Sequence, residues 1–282
     1  VGKSSLLKRS WSEFKERFPK SDLHLIHIDL DADKSEAISP IDMLWKLRLK
    51  IYNEAKIPFY LFDLLYLKYK EKNNESIDVS GPLMITLKSL ARGKKAPEML
   101  LEAAGTLVDS IELGKICGKY FDSLWGNKKQ RNVAEKLGVN RNSFDELDIA
   151  QLESLMPRVF AKELGMSLTN TRKQWLQSKI DMNGVTNYRP TLCVVLDGYE
   201  RVSKKVEKIF VENFLSHLLT DEYFYPHLGF VFLGRNIVNW SDYDISLQNI
   251  AGDDESWEPY IDSHRLGGLS KEIGRASCRE RG

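Results

Sequence analysis

The sequence predicts an α/β fold, with a doubly wound, mainly parallel sheet and helices that alternate with the strands. Three apolar runs are suited to strands, at residues 24–30, 191–196 and 228–233. Apolar residues at helical spacing separate these runs, and such alternation is typical of a parallel sheet. The chain has 282 residues, of which 42% are apolar and 29% charged, as in an ordinary globular protein.

The N-terminal part predicts three helices around the first strand. The first helix runs from Gly2 to about Phe18, where Pro19 ends it. After the strand, Ser39 and the Pro40 that follows it are a typical helix start, with a capping hydroxyl and proline at the first position. Another helix follows Pro58 and covers about residues 59–72; its richness in Phe, Tyr and Leu favours buried packing.

The middle of the chain predicts a large helical insertion. Residues 72–82 are polar and indicate a loop, whereas residues 83–180 are almost wholly helical in pattern, with breaks near 92–97 and 126–142. This insertion, about residues 83–180, separates the first two visible strands. A helix at residues 202–219 then joins the second strand to the third.

The first residues have the pattern of a phosphate-binding loop. Gly2-Lys3-Ser4-Ser5 is the second half of G-x-x-x-x-G-K-[ST], and it opens the first helix. In such a loop backbone N–H groups and the lysine bind phosphates, the first serine helps to hold Mg²⁺, and the helix N-terminus favours an anion. The pattern predicts a nucleotide with Mg²⁺ as the cofactors. The first glycine and the strand before it are missing in this interpretation.

The second apolar run ends in an acid, as Walker B strands do. Asp197 follows Cys193-Val194-Val195-Leu196, and we expect its carboxylate to hold Mg²⁺, through water, at the carboxyl edge of the sheet. Glu200 lies three residues further on and could orient or deprotonate a water. Arg235 follows the third strand; it is either a sensor of the γ-phosphate or a surface arginine in a strand-exit loop.

With these motifs the chain resembles the STAND class of signalling P-loop ATPases, relatives of the AAA, NACHT and NB-ARC groups. The resemblance is closest to bacterial members that carry tetratricopeptide repeats after the ATPase module. It implies an ATP-dependent switch with slow hydrolysis, protein partners bound through flanking repeats, and a homo-oligomer as one mode of assembly. The segments that carry it are residues 2–5, 59–69, 194–200, 233–236 with Trp240, and 264–270.

Two other functions remain open from the residues. Residues 133–144 resemble a helix-turn-helix and would suit a DNA-binding regulator, but Asp145, Glu146 and Asp148 follow and would repel phosphate, which favours a helical hairpin inside the insertion. The third interpretation is a P-loop phosphotransferase acting on a small substrate, although no acceptor-binding motif accompanies the loop. An ATP switch is preferred over a GTP switch because no Asn/Thr-Lys-x-Asp motif is present.

Composition limits the setting of the protein. The net charge is +1, which gives no electrostatic support for general binding of nucleic acid, and no apolar run reaches membrane-spanning length. Cys117 and Cys193 indicate no disulfide framework, so we expect a reducing cytoplasm. The two histidines of the first strand, His24 and His27, lie on opposite faces and are not expected to share a metal.

The C-terminal residues 272–282 are interpreted as an artefact. They can be back-translated into a string that resembles a common short-read sequencing adapter, so the tail is excluded from fold reasoning. Residues 1–271 would then form a partial P-loop NTPase domain. We expect the chain to be a fragment that is cut at both ends.

Overall fold

The computed structural model describes ten stretches of the chain between residues 3 and 243. It has an α/β fold with a three-stranded, all-parallel sheet and alternating helices, as the strand pattern predicts. The predictions for Gly2, Arg235 and residues 244–282 concern residues outside the described ranges. The described ranges are 3–17, 23–30, 39–78, 107–108, 110–126, 128–140, 143–180, 191–220, 228–234 and 238–243.

The N-terminal elements begin and end close to the predicted residues. They are α1 (Lys3–Arg17), β1 (Leu23–Asp29), α2 (Pro40–Ala55) and α3 (Tyr60–Lys72). Ser39 caps α2 as expected, because its Oγ accepts a hydrogen bond of 3.0 Å from the backbone N–H of Asp42. The predicted burial of the aromatic helix is also confirmed, since every residue from 61 to 68 is buried.

The described residues in the middle of the chain are mainly helical, with one departure from the prediction. Two short strands, β2 (Ile77–Asp78) and β3 (Leu107–Val108), pair antiparallel where a loop and a helix were expected. A two-residue strand is too short to leave an alternating pattern in the sequence. The helices that follow are α4 (Ser110–Trp125), α5 (Lys128–Lys136) and α6 (Ile149–Ile180). The predicted break near 92–97 lies outside the described residues.

The described residues of the segment interpreted as a helix-turn-helix do not form its second helix. After α5 the chain turns at Gly138, whose φ of +75° suits glycine, but residues 143–146 form only a turn before α6 begins. Phe144 lies where the recognition helix was expected. It is buried, and its ring stacks on that of Phe121 with centroids 4.1 Å apart. The described residues between α5 and α6 therefore form a connection whose Phe144 packs into the core.

The C-terminal elements complete the sheet and cover one of its faces. They are β4 (Thr191–Asp197), α7 (Lys204–Lys208), a π-helical segment (Ile209–Leu215), α8 (Ser216–Thr220) and β5 (Leu228–Leu233). The predicted helix at 202–219 is confirmed in position. Its π-helical middle was not predicted.

The strand order β1-β4-β5 places β4 in the centre of the sheet. Since all the strands are parallel, their carboxyl ends meet at one edge, where Asp29, Asp197 and Leu233 are in register. Two further backbone hydrogen bonds hold this edge: the Leu30 N–H donates to the Asp197 carbonyl at 2.8 Å, and the Gly198 N–H donates to that of Leu233 at 2.9 Å. The edge is thus fixed on both sides of β4.

The core lies between the sheet and the helices α2, α3, α6 and the π-helical segment. Phe160 of α6 is its centre, with ring centroids 4.5 Å from Phe59, 4.9 Å from Phe62 and 5.3 Å from Phe214. Rings packed in this way contribute more than their buried area alone. The sheet face opposite this core carries His27, Val195 and Asp197 by the alternation of each strand.

Candidate functional site

Asp197 occupies the carboxyl end of the central strand. Asp197 is only 5% exposed, whereas Asp29, the residue of β1 that pairs with it, is exposed. In open α/β sheets, ligands bind outside the carboxyl ends of the strands. The described residues therefore present a shielded carboxylate at the edge where such a sheet offers a binding site.

A short turn after β4 carries Glu200. Gly198 adopts φ +77°, a conformation that favours glycine, and the chain then makes a single 3₁₀ turn at Tyr199–Arg201. Tyr199 anchors this turn, because its buried ring packs edge-on against Phe232 with centroids 4.8 Å apart. The same burial raises the pKa of its phenol. Glu200 is half-buried on the same turn. The turn thus holds a second carboxylate three residues from Asp197.

Glu207 fixes the segment that follows β5. The Tyr243 hydroxyl donates to its carboxylate, and Lys204 Nζ donates to the same Oε1 at 3.0 Å. Burial and the hydrogen bond to Glu207 raise the pKa of Tyr243 to about 12. Sequence reasoning missed this contact because Glu207 and Tyr243 lie 36 residues apart. These contacts hold residues 238–243 against α7, which is the helix that follows the turn after Asp197.

An imidazole from the neighbouring strand also reaches Asp197. His27 Nε2 lies 3.4 Å from Asp197 Oδ2, with the histidine side chain 25% exposed. The two atoms are close but not hydrogen-bonded, and Nε2 has no hydrogen-bond partner among the described residues. The expectation that His24 and His27 lie on opposite faces of the strand follows from the alternation and agrees with the register of β1.

A buried acid away from this edge was not predicted either. Glu163 of α6 accepts hydrogen bonds from the backbone N–H groups of Tyr60, Leu61 and Phe62, at 3.0, 3.0 and 2.9 Å. It therefore caps the N-terminus of α3 from another helix. Burial raises its pKa to about 7 and outweighs these N–H groups, which favour the anion. The sequence separation, about a hundred residues, left no local capping signal.

The structure brings together some of the predicted site residues. Asp197 and Glu200 share the carboxyl edge of the sheet. The backbone of Lys3, Ser4 and Ser5 forms the first turn of α1, as the phosphate-loop pattern predicts, but their side chains lie outside the described residues. Gly2 and Arg235 lie outside them altogether. Whether the lysine and the Asp197 carboxylate converge stays a prediction.

The described side chains do not form a complete metal-binding cage at this edge. Within the described ranges, no group of three or more His, Cys, Asp and Glu side chains could hold a metal ion. Mg²⁺ differs from metals that need such a cage, because it keeps several waters and uses one or two carboxylates together with substrate phosphates. Asp197 is a carboxylate of the kind that Mg²⁺ uses, and its pairing with the Ser4 hydroxyl around such an ion stays a prediction.

No family model, curated protein or solved structure matches the chain. The resemblance to signalling P-loop ATPases therefore stays a prediction that depends on the motifs. None of the helices in the described parts of the chain has the length and apolar character that a membrane span requires.

Proposed function

We propose that the chain is an ATP-binding switch domain of the STAND class, with Mg²⁺ as the accompanying ion. The observation that supports this most is the position of Asp197, a shielded carboxylate at the carboxyl end of the central parallel strand. The start of α1 at Lys3, within the sequence pattern Gly2-Lys3-Ser4-Ser5, supports it independently. An acid at a strand end is common, and a Gly-Lys-Ser helix start is common; together they favour a nucleotide site.

The assignment of the fold to a P-loop NTPase with a helical insertion is part of the same proposal. The sheet is that of a doubly wound P-loop NTPase domain within residues 1–271, and α4, α5 and α6 belong to a helical insertion at about residues 83–180. The all-parallel order β1-β4-β5 supports the doubly wound sheet. The helices α4, α5 and α6, which come between β1 and β4 in the chain, support the insertion.

Each residue of the site has a distinct role in the proposal. The Gly2 amide and Lys3 bind phosphate, with Ser5 in the same helix turn. Ser4 supplies an oxygen ligand to Mg²⁺, and Asp197 holds the ion through a bound water. Glu200 orients the attacking water and accepts its proton, and Arg235 contacts the γ-phosphate. Mg²⁺, when bound there, would neutralise phosphate charge.

The contacts around the edge suggest how nucleotide state would reach the rest of the domain. The Gly198 N–H bonds the Leu233 carbonyl, so the turn that carries Glu200 is tied to the end of β5, the strand that Arg235 follows. Glu207 and Tyr243 tie the next segment to α7. A shift at the phosphate end would therefore move these elements together. Hydrolysis is slow in the proposal, and partners read the resulting conformation.

The test separates binding from hydrolysis in a chain extended at its N-terminus so that G-x-x-x-x-G-K-S is complete, called here the loop-completed chain. We expect Glu200→Gln to bind ATP as the unchanged protein does but to release phosphate at least about a hundredfold more slowly, the usual scale for a general base. Glu146→Gln, at an exposed turn, is the matched control. Phosphate found on a small acceptor and not in water would favour a phosphotransferase.

A further inference from the structure

His27 and Asp197 approach each other across two neighbouring strands. His27 is in register with Val195, so Asp197 is its diagonal neighbour two residues further along β4. Diagonal neighbours on one face of a sheet are within reach of a long or aromatic side chain. The observed separation, 3.4 Å between Nε2 and Oδ2, is the result of this geometry.

The hydrogen-bonding capacity of His27 Nε2 is unused in the described structure. Nε2 is shielded from solvent and has no hydrogen-bond partner among the described residues. Buried polar atoms of native proteins are nearly always bonded, so an orphan nitrogen beside a carboxylate needs an explanation. A small rotation of either side chain would convert the 3.4 Å contact into a hydrogen bond from Nε2–H to Oδ2.

We propose that His27 is a positioning residue for Asp197: its imidazole holds the carboxylate in the one orientation that presents an oxygen to the hydrated Mg²⁺. The inference depends on the proposed function, since it assigns Asp197 to the cation. Carboxylates that ligate metals are generally oriented by an outer hydrogen bond, and removal of the outer partner typically weakens metal binding 10–100-fold. His27 acts through Asp197 and touches neither nucleotide nor ion.

The variants exploit a matched pair of histidines on one strand. His27→Leu removes the nitrogen from the Asp197 contact, while His27→Gln keeps an N–H donor of similar reach. His24→Leu is the control, because His24 lies on β1 but on its other face. Thermal unfolding of each variant verifies that it is folded; if His27→Leu is not, the comparison of His27→Asn with His27→Gln replaces it, since the shorter amide does not reach Asp197.

The measurement is the Mg²⁺ concentration that gives half-maximal ATP binding by the loop-completed chain. We expect His27→Leu to raise it about 10–100-fold, His27→Gln to restore most of the loss, and His24→Leu to leave it unchanged. ATP affinity in EDTA stays the same in all three. The second readout is the same titration with Co²⁺, an ion that accepts imidazole ligands readily.

Three outcomes would overturn the inference. The first is an unchanged Mg²⁺ midpoint in His27→Leu. The second is a loss that His27→Gln does not restore, because that would mean imidazole packing and not hydrogen bonding. The third is a loss confined to Co²⁺, because that would make His27 itself a ligand. Asp197→Asn separates the two proposals: if it impairs Mg²⁺-dependent binding while His27→Leu does not, only the role of His27 fails, and if it has no effect the proposed function fails.

Discussion

Arg48 and Asp63 form an ion pair with no solvent exposure, between α2 and α3. Arg48 Nε donates to Asp63 Oδ1 at 2.7 Å, and a second guanidinium nitrogen reaches the other carboxylate oxygen. The guanidinium also lies over the rings of Trp45 and Tyr52, at 5.4 and 5.3 Å from their centroids. Such a pair stabilises little relative to apolar residues, but loss of one partner leaves a buried charge.

Removal of one partner should therefore be costly. We expect Asp63→Asn and Arg48→Met each to lower the free energy of unfolding by about 3–5 kcal/mol, and the double variant to lose clearly less than the sum. Urea unfolding of the four proteins measures this cycle. The exposed pair Arg9–Glu13 in α1 is the control, since Glu13→Gln should change stability little. Additive losses at Arg48 and Asp63 would contradict direct coupling.

Glu163 gives the protein a predictable response to pH. Its pKa is about 7 in the fold, against an ordinary value of 4.5. Between these values the folded protein holds a proton that the unfolded chain has lost, so the free energy of unfolding falls as pH rises through that window. The groups that face it are the N–H groups of residues 60–62 and the Asp63 carboxylate.

The corresponding prediction concerns the slope of stability with pH. Between pH 5 and 8 the unchanged protein should lose roughly 2–3 kcal/mol through Glu163, and Glu163→Gln should lack this part of the slope. Glu153→Gln, on the same helix but half-exposed, should keep it. Urea unfolding at several pH values provides the comparison. Identical slopes for Glu163→Gln and the unchanged protein would exclude the assignment.

At the scale of single elements, local signals decided what could be predicted. The start of α2 could be predicted because Ser39, Pro40 and Asp42 lie within four consecutive residues. In the structure the Ser39 hydroxyl also donates to the Asp42 carboxylate at 2.7 Å. β4 was readable because its apolar run ends abruptly in an acid. The cap from Glu163 and the β2–β3 pair were not, because they join residues far apart in the chain. Only tertiary packing specifies such contacts.

The cap of α2 gives an element-scale prediction. Ser39→Ala should lower the free energy of unfolding by about 1 kcal/mol, because the first turn of the helix loses its side-chain acceptor. Ser154→Ala, at an exposed position within α6, should be neutral or slightly stabilising, since alanine is the better helix former. Thermal or urea unfolding measures both. Equal effects of the two substitutions would mean that the cap contributes nothing.

At the scale of the whole molecule, the parallel order of the strands determines where chemistry can occur. The carboxyl ends of β1, β4 and β5 share one edge, and the aromatic core around Phe160 covers the face that packs on the helices. Sequence pattern predicted the strands and placed Asp197 and Glu200 at this edge. It could not find His27 as a neighbour of Asp197, because which strands are adjacent is not written in local periodicity.

The central claim is that Lys3 and Asp197 act on one Mg²⁺–ATP complex. Calorimetric titration of the loop-completed chain tests it with Lys3→Ala, Asp197→Asn, the double variant and Arg9→Ala as the control in α1. We expect Lys3→Ala to weaken ATP binding at least about tenfold with or without Mg²⁺, a change of about 1.4 kcal/mol, and Asp197→Asn to weaken it only when Mg²⁺ is present. The double variant should lose less than the sum. Binding of Mg²⁺–ATP by Asp197→Asn and Lys3→Ala with the affinity of the unchanged protein would contradict the account.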